Sequence, residues 1–227
     1  MPMSAATVPS TDAGQLFTKG APAGKGNRST QRAVVVLIVC ALPIAFYGLT
    51  FPFSGANAPF RAHLDALPLG AIPHFLGAGV ALLLGGFQFL PSLRQKRPAL
   101  HRNLGRVYLV SVLIGGLGGL VIATVSHGGM STHIGFGMLA MLWLGSGMAA
   151  WRAIRRGDIV AHRRWMTRNF ALTFAAVTLR LEVPLLVAVY GASFDAAYQT
   201  VAWLAWVPNL LIAEWWLLRP LQRIPAT

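Results

Sequence analysis

Six stretches of about twenty mostly apolar residues, joined by short arginine-rich connections, leave this chain little choice of architecture. They fall at about 33–52, 72–92, 103–126, 132–152, 165–190 and 197–218. Each is near the roughly 20 residues that a helix needs to cross a bilayer. Backbone in lipid must satisfy its own hydrogen bonds, so helices are the expected form. Composition agrees: 55% of residues are hydrophobic, 11% are charged, and the mean hydropathy is +0.58. A soluble domain carries about a quarter charged residues. We read an all-α, polytopic membrane protein of six transmembrane helices.

The formal charge of +13 would suggest nucleic acid in a soluble chain. Here the spans sort it. Lys19, Lys25, Arg28 and Arg32 precede the first span. Arg94, Lys96, Arg97, Arg102 and Arg106 lie between or flank the second and third. Arg152, Arg155, Arg156, Arg163, Arg164 and Arg168 lie between or flank the fourth and fifth, and Arg219 and Arg223 follow the sixth. All of these fall on one side, leaving only Arg61 and Arg180 of the nineteen Lys and Arg residues elsewhere. The bias of basic residues toward the cytoplasm predicts a bacterial inner-membrane protein with both termini cytoplasmic. Its partner is the lipid bilayer, and nucleic acid is not expected.

Residues 1–32 are rich in Ala, Gly, Pro, Ser and Thr and read as a disordered basic N-terminal tail. Residues 33–219 form the transmembrane domain, and 220–227 a short cytoplasmic tail. Ala56-Asn57-Ala58 resembles a signal-peptidase site, but the apolar run before it is long and Pro59 follows it. We read an uncleaved span. Cys40, the only cysteine, excludes a disulfide framework and a thiolate metal site.

An internal repeat follows. His74-Phe-Leu-Gly77-Ala-Gly79 opens the second helix as His133-Ile-Gly135-Phe-Gly137 opens the fourth. His101-Arg102 with Gly105-Arg106 opens the third as His162-Arg163 with Met166 and Arg168 opens the fifth. Helices two to five therefore read as two copies of one hairpin, a four-helix pseudo-repeat core with a site expected between the copies. The topology puts His74 and His133 near the outer face, and His101 and His162 near the cytoplasmic face. At helical spacing each histidine heads a small or polar face: Ala78, Ala81, Gly85 and Gln88; Gly105, Tyr108, Gly115 and Gly119; Gly137, Ala140 and Gly147; Asn169, Thr173, Ala176 and Arg180. Such faces suit a bundle interior in lipid.

Two chemistries fit this pattern. Paired imidazoles on facing helices can supply both axial ligands of a haem iron. Two haem b groups would then sit on His74/His133 and His101/His162, with Arg102, Arg106, Arg163 and Arg168 available to propionates. Alternatively, the small faces serve close packing and the histidines are interfacial. A second polar set comprises Arg180, Glu182, Asn209, Glu214 and Gln88, all within or bordering apolar sequence. Ionisable groups in lipid are functional candidates by default. His162 and Arg180 are about 27 Å apart along one helix, so one face would carry a ring near one surface and a cation near the other. Neighbours two apart on a helix diverge, so Arg180 and Glu182 look for other partners, a glutamate ion pair with Arg180 being one. Pro184 and Pro208 are expected to kink helices five and six.

The segments His101-Arg-Asn-Leu-Gly-Arg-Val-Tyr108 and His162-Arg-Arg-Trp-Met-Thr-Arg168, continuing through Ala171 to Arg180, resemble signatures of a bacterial family of multipass membrane proteins catalogued as domain of unknown function 2306. So does Trp206-Val-Pro-Asn209 with Glu214. The resemblance covers roughly residues 70 to 216; it implies a multipass protein and no established activity. By arrangement alone, one histidine on each of four successive helices is similar to cytochrome b561.

Phosphate-binding loops, H-E-x-x-H motifs and a Ser–His–Asp set are absent. Three functions remain open: transmembrane electron transfer through two haems; transport of protons or a small solute past Arg180, Glu182 and Glu214; and a non-catalytic assembly subunit. A homo-oligomer is compatible with each.

Overall fold

A computed structural model describes residues 25–54, 61–191 and 193–218, and all regular structure among them is helical. In chain order the helices are α1 (Lys25–Thr50), α2 (Arg61–Ala66), α3 (Pro68–Gly85), α4 (Pro91–Lys96), α5 (Pro98–Ala123), α6 (Met130–Arg155), α7 (Ile159–Thr173), α8 (Ala175–Tyr190), α9 (Phe194–Leu204) and α10 (Val207–Leu218). Single 3₁₀ turns at Phe51–Phe53 and Gly86–Phe89 follow α1 and α3. Six stretches are long and apolar enough to cross a membrane: Gln31–Phe53, Pro68–Phe89, Pro98–Ala123, Met130–Arg155, Ile159–Val189 and Phe194–Leu218. The expected six-span, all-α membrane protein is what the chain forms. Helix α1 begins at Lys25, inside the segment read as a tail. Residues 1–24, the remainder of that tail, and 219–227 lie outside the described residues.

Helices α3, α5, α6 and α7 form a four-helix core in which each packs on the next and α7 returns to α3. Helix α1 lies outside α3 and α8, while α9 and α10 pack against α6, α7 and α8. The two hairpins related by sequence, α3–α5 and α6–α7, are each a closely packed pair. In lipid, large apolar side chains gain little by turning inward, so small residues that allow close approach carry the packing. Helix α5 shows this inversion. Val107, Val110, Ile114, Leu117 and Val121 form an exposed stripe, whereas Tyr108, Ser111, Val112, Gly115, Gly118 and Gly119 are buried. Gly77 of α3 meets this buried face so closely that a Cβ there would lie 2.5 Å from the Gly115 nitrogen and 2.7 Å from the Ser111 carbonyl oxygen. The contacts are backbone, which has nowhere to go.

The last two spans are broken. The fifth passes from α7 to α8 through a turn at Phe174, where the Val177 N–H bonds to the Phe174 carbonyl at 2.9 Å. One step earlier the Thr173 hydroxyl donates back to the Asn169 carbonyl at 2.9 Å, a bond that tends to bend helices. His162 and Arg180 therefore stand on two successive helices rather than one. The sixth span breaks at Ala205–Trp206. Pro208 sits in the first turn of α10, where its missing N–H costs little, so it starts a helix instead of kinking one. Pro184 does lie inside α8.

The α3–α5 seam yields a stability prediction. Gly77→Val should lower the unfolding midpoint of detergent-purified protein by the equivalent of about 1–3 kcal/mol, the usual range for overpacking. Gly145→Ala, where an added Cβ meets nothing within 4 Å, should leave it unchanged or raise it.

Candidate functional site

Polar groups within the membrane gather in three places. The first is a buried network at the centre of the core. Tyr108 donates its hydroxyl proton to Asn169 Oδ1 at 2.7 Å and lies 2.8 Å from Thr173 Oγ1. Trp143 Nε1 donates to the same Thr173 oxygen at 2.8 Å. The Asn169 amide donates to the Trp143 carbonyl at 2.7 Å and to Ser146 Oγ at 2.8 Å. These bonds tie α5, α6 and α7 together. Tyr108 and Asn169 are wholly buried, so each bond replaces one that lipid could not provide.

The second is a cavity of about 150 Å³ beside that network, toward the Tyr198 end of the bundle. Every core helix contributes to its wall, with α8 and α9 completing it. Trp143 and Thr173 belong to both wall and network. The remaining polar lining is His74, Ser126, Tyr198 and Arg180. His74 is held by donating its Nδ1 proton to the Gly115 carbonyl at 2.8 Å. Arg180 donates from Nη1 to the Ala176 carbonyl at 3.0 Å, and its guanidinium lies over the Tyr47 ring at 5.0 Å. Among the described residues the ion pairs are Arg61–Asp65 and Arg168–Glu214. Arg180 pairs with no carboxylate among them.

The third place is the arginine-rich end. Here Arg168 grips Glu214 with two bonds, Nε to Oε1 at 2.5 Å and Nη2 to Oε2 at 2.8 Å, and stacks over Trp165 at 4.8 Å. His162 donates Nδ1–H to the Ala150 carbonyl at 2.9 Å. His101 lies in the electrostatic field of Arg94, His162 and Arg102, and its Nδ1 is buried without a partner among the described residues, as is Gln88 Nε2. Arg94, in the connection between spans, has its pKa lowered from the usual value by burial and by the charge of Arg163. Arg102, Arg106 and Arg163 are exposed, and Arg106 reaches Asn103 at 3.3 Å.

These positions revise several expectations. Arg180 does not pair with a glutamate. Glu214 is spent on Arg168, which precedes Arg180 by three helical turns, about 18 Å. Glu182 faces away from Arg180, with its Oε2 buried and unpartnered among the described residues. Asn209 is not among the residues that line the cavity. Its amide donates to the Ala205 carbonyl at 2.9 Å, to Thr178 Oγ1 at 3.1 Å and to the Ala171 carbonyl at 3.3 Å, clasping the broken sixth span to the fifth. Thr178 completes the clasp by donating to the Ala205 carbonyl at 2.6 Å. The sequence reading missed Trp143, Ser146, Tyr47 and Tyr198. Trp143 did carry a signal, since an indole N–H in mid-span rather than at the interface needs an internal acceptor.

His74 and His133, as packed, do not face one haem-sized space. His133 donates Nε2–H to the Ser126 carbonyl at 3.0 Å, and His74 lines the cavity where His133 does not. The space beside His74 is about 150 Å³, whereas pockets for drug-sized ligands, smaller than a porphyrin, hold about 300–1,000 Å³. Gly77, Gly115 and Gly118 bring the α3 and α5 backbones together beside His74 and leave no slot there. Arg168, one candidate for a propionate, is occupied by Glu214.

A family profile described as Predicted membrane protein (DUF2306) matches residues 71–217. The chain belongs to this family. Among curated proteins and solved structures nothing matches it. The matched region of this DUF2306 member runs from the start of α3 almost to the end of α10, and so contains the whole cavity wall, the network and the Arg168–Glu214 pair.

The packing around His74 and His133 predicts that these two rings hold no haem, so replacing both by alanine leaves the absorption spectrum of the purified protein unchanged. A Soret band that disappears when His74 and His133 are both replaced by alanine would reverse this conclusion.

Proposed function

We propose that this DUF2306 protein moves a small solute across the bacterial inner membrane, using the central cavity as its binding site. The observation that carries the reading is the cavity's position. It lies where the two sequence-related hairpins meet, beside the break at Phe174 in the fifth span. Transporters built on repeats bind near the bilayer midplane, between the copies and beside discontinuous helices. Their alternating access needs two halves that rock against one another, and α3–α5 against α6–α7 supplies such halves. The asymmetry of the arginines supports an orientation with both termini in the cytoplasm. The cavity then lies in the outer half of the membrane, and the network separates it from the cytoplasmic side.

The cavity also sets the scale of the solute. A space of about 150 Å³ accommodates a molecule no larger than benzene. Small size, a polar pole and an apolar wall describe the solute more closely than they describe a redox cofactor. Electron transfer through haem b, the alternative raised by the four histidines, depends on the absorption spectrum specified above. An assembly subunit would have no need of a cavity with an arginine in its wall.

Stopped-flow light scattering on vesicles containing the full chain tests the proposal, with gradients of glycerol, acetamide or sodium lactate as probes. At least one probe should equilibrate faster than in protein-free vesicles. Ala140→Leu, which fills the cavity wall while leaving every polar group in place, should remove the increment. No probe moving faster than through bare lipid would overturn the proposal.

A further inference from the structure

Arg180 is the feature of the cavity that the protein alone does not explain. A guanidinium has five N–H donors, and among the described residues Arg180 satisfies one on the Ala176 carbonyl while Tyr47 covers a ring-like face. Its charge is unanswered by any carboxylate among those residues. Glu214, the nearest in kind, is committed to Arg168 by two bonds. An uncompensated charge in lipid is expensive and is kept where it binds something.

The lining around Arg180 narrows what that something is. Arg180 is the single charged residue of the wall. Tyr198 and Thr173 add hydroxyls and His74 a ring, while Phe75, Leu139 and Leu172 make most of the remainder apolar. One fixed positive charge balances one negative charge, so a dianion would stay under-compensated. A planar guanidinium matches a planar carboxylate through two parallel N–H···O bonds. The apolar residues of the same wall suit a short hydrocarbon tail rather than an inorganic ion, whose hydration they could not replace.

We propose that the cavity binds a small monocarboxylate, with its carboxylate on the Arg180 guanidinium and its short tail among Phe75, Leu139 and Leu172. This rests on the transport reading, because it names the solute class of the same cavity. The bound pair is electrically neutral overall, which removes the penalty that the cation carries alone. Arg180 is then a binding residue, and the part of the site that discriminates among solutes.

Equilibrium binding to the detergent-purified full chain tests this, with radiolabelled propionate as probe and propionamide, its neutral isostere, as competitor and as a second labelled probe. Propionate should bind saturably and propionamide should not displace it. Arg180→Gln should weaken propionate at least tenfold. Because that variant could misfold, Arg180→Lys provides a second reading: it keeps the charge without the planar fork and should weaken propionate while retaining the unfolding midpoint. Ala140→Leu should abolish binding with Arg180 intact. Equal binding of propionate and propionamide, or propionamide binding alone, would overturn the carboxylate assignment and leave the cavity as a solute site. Binding of neither probe would overturn the assignment, and if vesicle permeation of every probe were also absent, the transport reading would fall with it.

Discussion

The hydrogen-bonded cluster of Tyr108, Trp143, Ser146, Asn169 and Thr173 is the constraint on which the rest of this bundle depends. It takes one hydroxyl from α5, an indole, a hydroxyl and a carbonyl from α6, and an amide and a hydroxyl from α7. Water could stand in for any of these partners in a soluble core, but the hydrocarbon interior has none to offer. A slip of one helix past its neighbour would break several bonds together, so the cluster sets rotation and height at once. Helix α3 is then positioned against α5 by glycine contacts that tolerate no side chain. Polar bonds fix one side of the core, and close backbone contact fixes the other.

Two consequences reach the cavity. Thr173 and Trp143 form its floor as members of the cluster, so its shape is inherited from the same bonds. Thr173 also stands next to the Phe174 turn, which divides the fifth span and carries Arg180 on the second helix. The register of α10 along α7 decides the remaining electrostatics. It brings Glu214 to Arg168 at the arginine-rich end and leaves Arg180, three turns away, without an acid among the described residues. Two arginines on one span thus have opposite fates. One is neutralised by a carboxylate of the protein, and the other meets none among the described residues.

Much of the architecture was legible in the amino-acid order, and the reason is lipid. Hydrocarbon thickness fixes span length, so the six apolar runs and their arginine-rich connections read directly as six crossings. The paired openings at His74 and His133, and at His101 and His162, marked the two hairpins. The small faces below His101 and His162 already contained Tyr108, Asn169 and Thr173, yet their partners were not visible because Trp143 and Ser146 follow no shared spacing with them. The destinations of Asn209, Glu214 and Arg180 were hidden for a related reason. Which carboxylate meets which cation depends on how far one helix slides along another, and no local pattern encodes that distance. The breaks at Phe174 and Ala205–Trp206 escaped notice because hydropathy runs through them without interruption. The histidines illustrate a second demand that lipid makes: a backbone carbonyl there needs a donor as much as a metal needs a ligand, and the rings of His74, His133 and His162 answer carbonyls.

The most direct test of this account is a double-mutant cycle between Tyr108 and Asn169, read from unfolding free energies of the purified protein. Tyr108→Phe and Asn169→Ala should each destabilise by about 1–3 kcal/mol, as expected when a buried partner is left unsatisfied. The double variant should lose less than the sum, with a coupling of about 0.5–3 kcal/mol. Effects that add to within about 0.5 kcal/mol would mean that the two side chains do not act as a unit, and the central cluster would no longer explain how the helices are held.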